Sequence, residues 1–260
     1  MLCRRSNSKR RLPMIENEGK PGPTRSDWFD LLLFLVVGFG SFFLLSLLLA
    51  QLIPDVTETA VYLLYLVNVL CFAGTFYLLG IRRGKVTWEM VGIRPFRWQW
   101  DWVLLGVGVA VVLLPVRGLI GMAVQMLAAG NLDSIQARSD LIMGTELSLT
   151  AFATTLLGVG ILVPIAEELY FRGLIHTWFW QKVPRLWVRV LASGLIFALG
   201  HADSIGVVAA SFVIGIVSPI YYERTKSLAV PIIIHITTNS TATVLLFVAL
   251  AIMEYLPELT

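Results

Sequence analysis

Apolar residues run almost without interruption over residues 28–53, 59–80, 102–128, 148–180, 190–222 and 228–253, with short polar connectors between them. A helix needs about 20 mostly apolar residues to cross the hydrocarbon of a bilayer, so every run is long enough to span it. Two runs break the simple pattern. Residues 190–222 have to cross and return, although two crossings need about 40 residues plus a turn. That turn, HADSIG at 201–206, is therefore expected within the membrane, where nonhelical backbone is tolerated only if protein buries it or it lines a wet cavity. Residues 148–180 exceed one perpendicular span, so this helix is either tilted or broken near Pro164, whose ring lacks the N–H of a helix hydrogen bond. The pattern predicts an all-α, polytopic transmembrane helical bundle of about seven membrane helices, with a short re-entrant-like hairpin at 190–222. An eighth follows if the 148–180 stretch is broken.

Composition agrees with a bilayer environment: 57% of the 260 residues are hydrophobic and 14% charged, and the mean hydropathy is +0.79. The net charge of +3 lies in connectors rather than on one face, which argues against nucleic acid as a partner and makes the basic residues reporters of orientation. Residues 1–27, with Arg4, Arg5, Lys9, Arg10 and Arg11 among Ser, Pro and Gly, read as a disordered basic cytoplasmic tail. The run after it exceeds a signal-peptide core and lacks a small-residue cleavage pattern, so it reads as a retained anchor. Basic connectors such as RRGKVTWEMVGIRPFRW, QKVPRLWVR and ERTK alternate with the acidic PDVTET and the mixed NLDSIQARSDLIMGTE. The expected protein is a multi-pass cell-membrane protein with its N-terminus in the cytoplasm and one transmembrane domain over residues 28–260. Cys3 and Cys71 form neither a disulfide framework nor a zinc ribbon.

Against this background AEELYFRG at 166–173 is anomalous, because a charged side chain near the bilayer centre costs a few kcal/mol. On a helix Glu168 and Arg172 are four apart and can pair, whereas Glu167 is turned about 100° away and stays available. FALGH ends a short helix with His201, and HITTN puts His235 and Asn239 on one face of another. Counted from the basic anchors at about 1.5 Å per residue, Glu167, His201 and His235 lie about 22, 18 and 13 Å below the cytoplasmic surface. They converge at similar depth. Arg117, beside Pro115, either lines the same cavity or snorkels to the interface, and the cavity is the favoured reading. His176, near Trp178 and Trp180, reads as an interfacial residue. Trp88, Trp98, Trp100 and Trp102 read as interfacial anchors, and Gly206 and Gly215 as points of close helix approach.

E-E-x-x-x-R at 167–172, F-x-x-x-H at 197–201 and H-x-x-x-N at 235–239, in that order, resemble the three motifs of the CPBP family of intramembrane proteases. That family includes CAAX prenyl endopeptidases and bacterial members linked to bacteriocin maturation and immunity. The resemblance covers about residues 145–245. It implies an endopeptidase acting near the C-terminus or membrane-proximal part of a protein or peptide substrate, lipidated or not. Glu167 is the candidate general base, His201 holds the water, and His235 and Asn239 donate toward the oxyanion. Glu168 and Arg172 support the helix and shape the pocket.

The expected mechanism uses no cofactor. Zinc is the alternative, for which Glu167, His201 and His235 offer a one-carboxylate, two-histidine set, but no H-E-x-x-H is present. Membrane lipids surround the protein, and its oligomeric state is open. Two other readings stand beside the protease: a transporter or channel component that uses the same Glu/His cluster, and a non-catalytic immunity scaffold.

Overall fold

The computed structural model describes residues 26–55, 57–93, 99–143 and 147–255. The basic tail over 1–25, Trp98 and the end of EYLPELT lie outside them. The described residues form helices α1 (Trp28–Leu52), α2 (Glu58–Ile81), α3 (Trp100–Ala129), α4 (Asp133–Met143), α5 (Leu149–Lys182), α6 (Leu186–Leu199), α7 (Ile205–Thr225) and α8 (Ala229–Tyr255). Six of these are long and apolar enough to cross a membrane, α6 is a shorter apolar helix, and α4 is an 11-residue connector. The all-helical bundle expected from the hydrophobic pattern is what forms.

Connector residues set the helix ends. Asp27 and Asp30 form a reciprocal capping box at the start of α1, while Thr57, Ser148 and Ser204 accept from backbone N–H groups at the starts of α2, α5 and α7. Asp30 also pairs with Lys85 at 2.7 Å and Arg83 at 3.3 Å, which ties the start of α1 to the chain leaving α2.

The bundle is inside-out relative to a water-soluble one. Only 17% of the central window of α1, α3 and α8 is buried, and Phe43, Leu44, Leu104, Leu127 and Leu245 face outward. That surface is matched to lipid. The exception is α5, in which every residue from Tyr170 to Phe179 is buried, so that neighbours enclose this stretch on all sides. Tyr170, Phe171, Phe72, Phe76, Phe34 and Phe197 form the aromatic core around it, and the Tyr170 hydroxyl donates to the Phe34 carbonyl at 2.8 Å.

α5 is unbroken over 34 residues, which removes the eighth helix allowed by the sequence. Pro164 is accommodated because π-helical turns at Leu156–Leu162 widen the helix just ahead of it, and the Val163 N–H reaches back to the Gly158 carbonyl. A second π-helical segment, Glu168–His176, carries the acidic motif. The hairpin at 190–222 is also resolved asymmetrically. α6 has 14 residues, about 21 Å, whereas α7 has 21 residues, about 32 Å and long enough to cross alone. The shortfall falls on α6 alone.

α6 and α7 touch at Gly194 and Gly215, where a Cβ on either would lie 2.9 or 2.8 Å from the other's carbonyl oxygen. Gly206 meets α3 in the same way, and its N–H donates to Gln125 Oε1 at 3.1 Å. The obstacle at Gly215 is backbone and cannot rotate away. Gly215→Leu is therefore expected to lower stability by about 1–3 kcal/mol or more in detergent thermal unfolding. Gly108→Ala on α3, where nothing lies within 4 Å, should be neutral or gain about 0.5–1 kcal/mol.

Candidate active site

Adjacent positions on a helix point about 100° apart, and the two acids of α5 accordingly take different directions. Glu168 is fully buried, with Oε1 at 2.8 Å from His235 Nδ1 on α8 and 3.2 Å from Arg172 Nη1. The expected Glu168–Arg172 pair is present, but it is one half of a triad. Arg172 Nη1 has no aligned hydrogen bond among the described residues, so its attraction to Glu168 is coulombic. The guanidinium is held instead by the Ile214 carbonyl on α7, which accepts from Nη2 at 3.1 Å, and by the Phe197 ring, 4.2 Å from its carbon. One acid thereby links α5, α7 and α8.

Glu167 takes the other direction and lines a cavity of about 420 Å³. Its Oε2 lies 3.8 Å from His201 Nε2 and 3.7 Å from His235 Nε2. His201 stands in the turn after α6, with Nδ1 at 3.0 Å from the Phe197 carbonyl. Each imidazole is thus fixed through Nδ1 and presents Nε2 toward the same carboxylate oxygen. Asn239, one helical turn beyond His235, also lines the cavity. Its Oδ1 accepts from Arg117 Nη1 at 3.3 Å and its Nδ2 donates to the Val159 carbonyl at 3.3 Å. Phe42, Val61, Leu64, Phe72 and Phe171 form the apolar wall.

All seven motif residues, Phe197 included, therefore lie in one connected arrangement. Arg117 belongs to it as well, although it approaches from behind Asn239. Glu167, His201 and His235 are also the set considered for a metal. Among the described residues, no group of three or more His, Cys, Asp or Glu side chains is placed to hold an ion.

Sequence reading misplaced His176. Its ring is buried, with Nδ1 at 2.8 Å from Ser193 Oγ and Nε2 at 3.0 Å from Glu223 Oε1. Glu223 also pairs with Arg189, which caps the end of α5 through the Val183 and Pro184 carbonyls. This second cluster locks α5, α6 and α7 at the end away from the cavity. Nothing in the local pattern marked it, because Glu223 and Arg189 lie in connectors that read as topology signals. Arg138 and Asp203, which face each other as an ion pair and line the cavity, were missed for the same reason.

Comparison with known proteins agrees with the motifs. Residues 149–241 match the Rce1-like family model, described as Type II CAAX prenyl endopeptidase Rce1-like. That range contains all seven motif residues, and the family resemblance read from the sequence is borne out. The chain is a polytopic membrane protein whose residues 149–241 are similar to that family. It is 26% identical over 225 residues to the membrane-embedded CAAX protease MroQ of Staphylococcus aureus (strain USA300), covering 82% of this chain and 86% of that protein. No solved structure matches the chain significantly.

The two acids should separate on stability. Glu168→Ala leaves Arg172, 2% exposed, without its counter-charge and should cost about 3–5 kcal/mol in thermal unfolding. Glu167→Gln removes no direct hydrogen bond and should stay within about 1 kcal/mol of the parent.

Proposed function

We propose that this protein is an intramembrane endopeptidase that hydrolyses a peptide bond near the C-terminus, or in a membrane-proximal part, of a protein or peptide substrate, with Glu167 as the base that activates water. The observation that carries this reading is the approach of Glu167 Oε2 to both His201 Nε2 and His235 Nε2, at 3.8 and 3.7 Å, with Glu167 and His201 on the cavity wall and His235 buried behind them. Polar atoms at that spacing are too far apart to bond directly and close enough to share a water.

Hydrogen-bond accounting assigns the roles. A backbone carbonyl only accepts, so His201 Nδ1 carries the proton opposite Phe197 and Nε2 offers a lone pair. Glu168, paired with Arg172, accepts from His235 Nδ1 in the same way. A water between them donates one proton toward Glu167 and the other toward an imidazole, which leaves an oxygen lone pair for the scissile carbonyl carbon. Glu167 takes the proton as the C–O bond forms and delivers it to the leaving nitrogen as the C–N bond breaks.

The oxyanion of the tetrahedral intermediate needs preorganised donors. Arg117 holds Asn239 by its oxygen and Val159 takes one amide proton, so the second amide proton is left for the cavity. His235 joins it through Nε2 only as an imidazolium. The apolar wall suits a hydrophobic substrate segment, and the printed name of MroQ supports C-terminal processing. In this reading the protein sits in the cell membrane with its N-terminus toward the cytoplasm, and the three crossings α1, α2 and α3 put α4 and the cavity mouth on the opposite side.

The test is reconstitution of wild-type and Glu167→Gln protein in liposomes with lipidated and unlipidated peptides, followed by mass spectrometry. Wild type should cleave, and the variant should be slower by about a hundredfold or more. Equal cleavage by both would take Glu167 out of the mechanism, and solute flux without cleavage would favour a transporter. Chelator should leave the wild-type rate unchanged. A loss restored by added zinc would assign Glu167, His201 and His235 to an ion instead.

A further inference from the structure

α4 is too short to span a membrane and stands at the mouth of the cavity. From it Arg138 reaches Asp203 in the turn that carries His201, and Ser134, one helical turn earlier on the same face, lines the cavity too. Arg138 is the one Arg or Lys among the described lining residues, and Glu167 is within its electrostatic reach. The ion pair is open to water, with side-chain exposures of 32% for Arg138 and 49% for Asp203. Such a pair contributes little stability and exchanges one carboxylate for another at small cost. On the same wall, Ser134 Oγ and Asn68 Oδ1 are buried without a hydrogen-bond partner among the described residues. Unpartnered buried polar atoms beside a cavity can be paired by a water or by a ligand that enters it. An extended peptide supplies N–H groups for these oxygens along its length and a carboxylate at its end.

We infer that Arg138 receives the terminal carboxylate of a substrate peptide, with Asp203 occupying the guanidinium until the peptide enters. Asn68 and Ser134 then meet backbone N–H groups between that carboxylate and the bond that faces Glu167. This rests on the protease reading and deepens it: the substrate class is a peptide with a free C-terminus inside the cavity, rather than an internal loop. A guanidinium is suited to the task because its planar fork engages both carboxylate oxygens.

The test uses two synthetic apolar hexapeptides with one sequence, one ending in carboxylate and the other in carboxamide. Binding is measured to Glu167→Gln protein in nanodiscs, which does not turn the peptide over, and cleavage is measured with protein that retains Glu167. The carboxylate peptide should bind about tenfold more tightly. Adding Arg138→Gln should abolish that preference and leave carboxamide binding unchanged. Adding Asp203→Asn should act in the opposite direction, tightening the carboxylate peptide several-fold, because the competing carboxylate is gone. If Asp203→Asn instead weakens both peptides as Arg138→Gln does, the bridge merely holds α4 and the inference fails. It also fails if the parent binds the two peptides equally or binds neither. A carboxylate preference in binding without cleavage by the Glu167 protein would remove the protease reading and leave the Arg138 site. Cleavage without preference would do the reverse.

Discussion

A carboxylate fully removed from water must be matched by charge and hydrogen bonds, and Glu168 draws Arg172 and His235 onto Oε1, while Oε2 has no hydrogen-bond partner among the described residues. Arg172, buried in turn, draws the Ile214 carbonyl and the Phe197 ring. The arrangement of α5, α6, α7 and α8 around the cavity follows from this one buried charge. Association of helices in lipid has little hydrophobic drive, so polar contacts of this kind and close glycine contacts such as Gly194–Gly215 set which helices meet.

The same satisfaction of Glu168 leaves Glu167 available. Two neighbouring acids on one helix would compete for the same partners if both pointed inward together. Helical geometry turns neighbouring positions about 100° apart, and the acids reach opposite sides of His235, one at Nδ1 and the other near Nε2. Glu167 therefore faces an enclosed space with an imidazole on each side and no direct hydrogen bond to restrain it. On the proposed reading this is the difference between a structural acid and a working one, and the sequence motif needs two glutamates because it needs both.

The lengths of the hydrophobic runs were enough to read the bundle, since lipid allows few alternatives to a helix that satisfies its own backbone. Glu167, His201, His235 and Asn239 were legible because polar residues are costly in such runs and stand out there. Partner choice was less legible. Glu168 was read as Arg172's partner by helical spacing alone, and the bond to His235 comes from a helix 67 positions away, beyond the reach of local periodicity. His176 was misread because tryptophans beside a basic connector resemble an interface, whereas Ser193 and Glu223 bury its ring. Pro164 suggested a break, but the preceding π-helical turns absorb its missing donor.

The central claim is that His235 is bound to Glu168 and only approached by Glu167. A double-mutant cycle on thermal stability, pairing His235→Ala with Glu168→Gln and then with Glu167→Gln, tests it most directly. The account gives a coupling of about 1.5–3 kcal/mol for Glu168 with His235, as for a hydrogen bond to a charged group, and about 0.5 kcal/mol or less for Glu167 with His235. Equal couplings, or a larger one for Glu167, would contradict it.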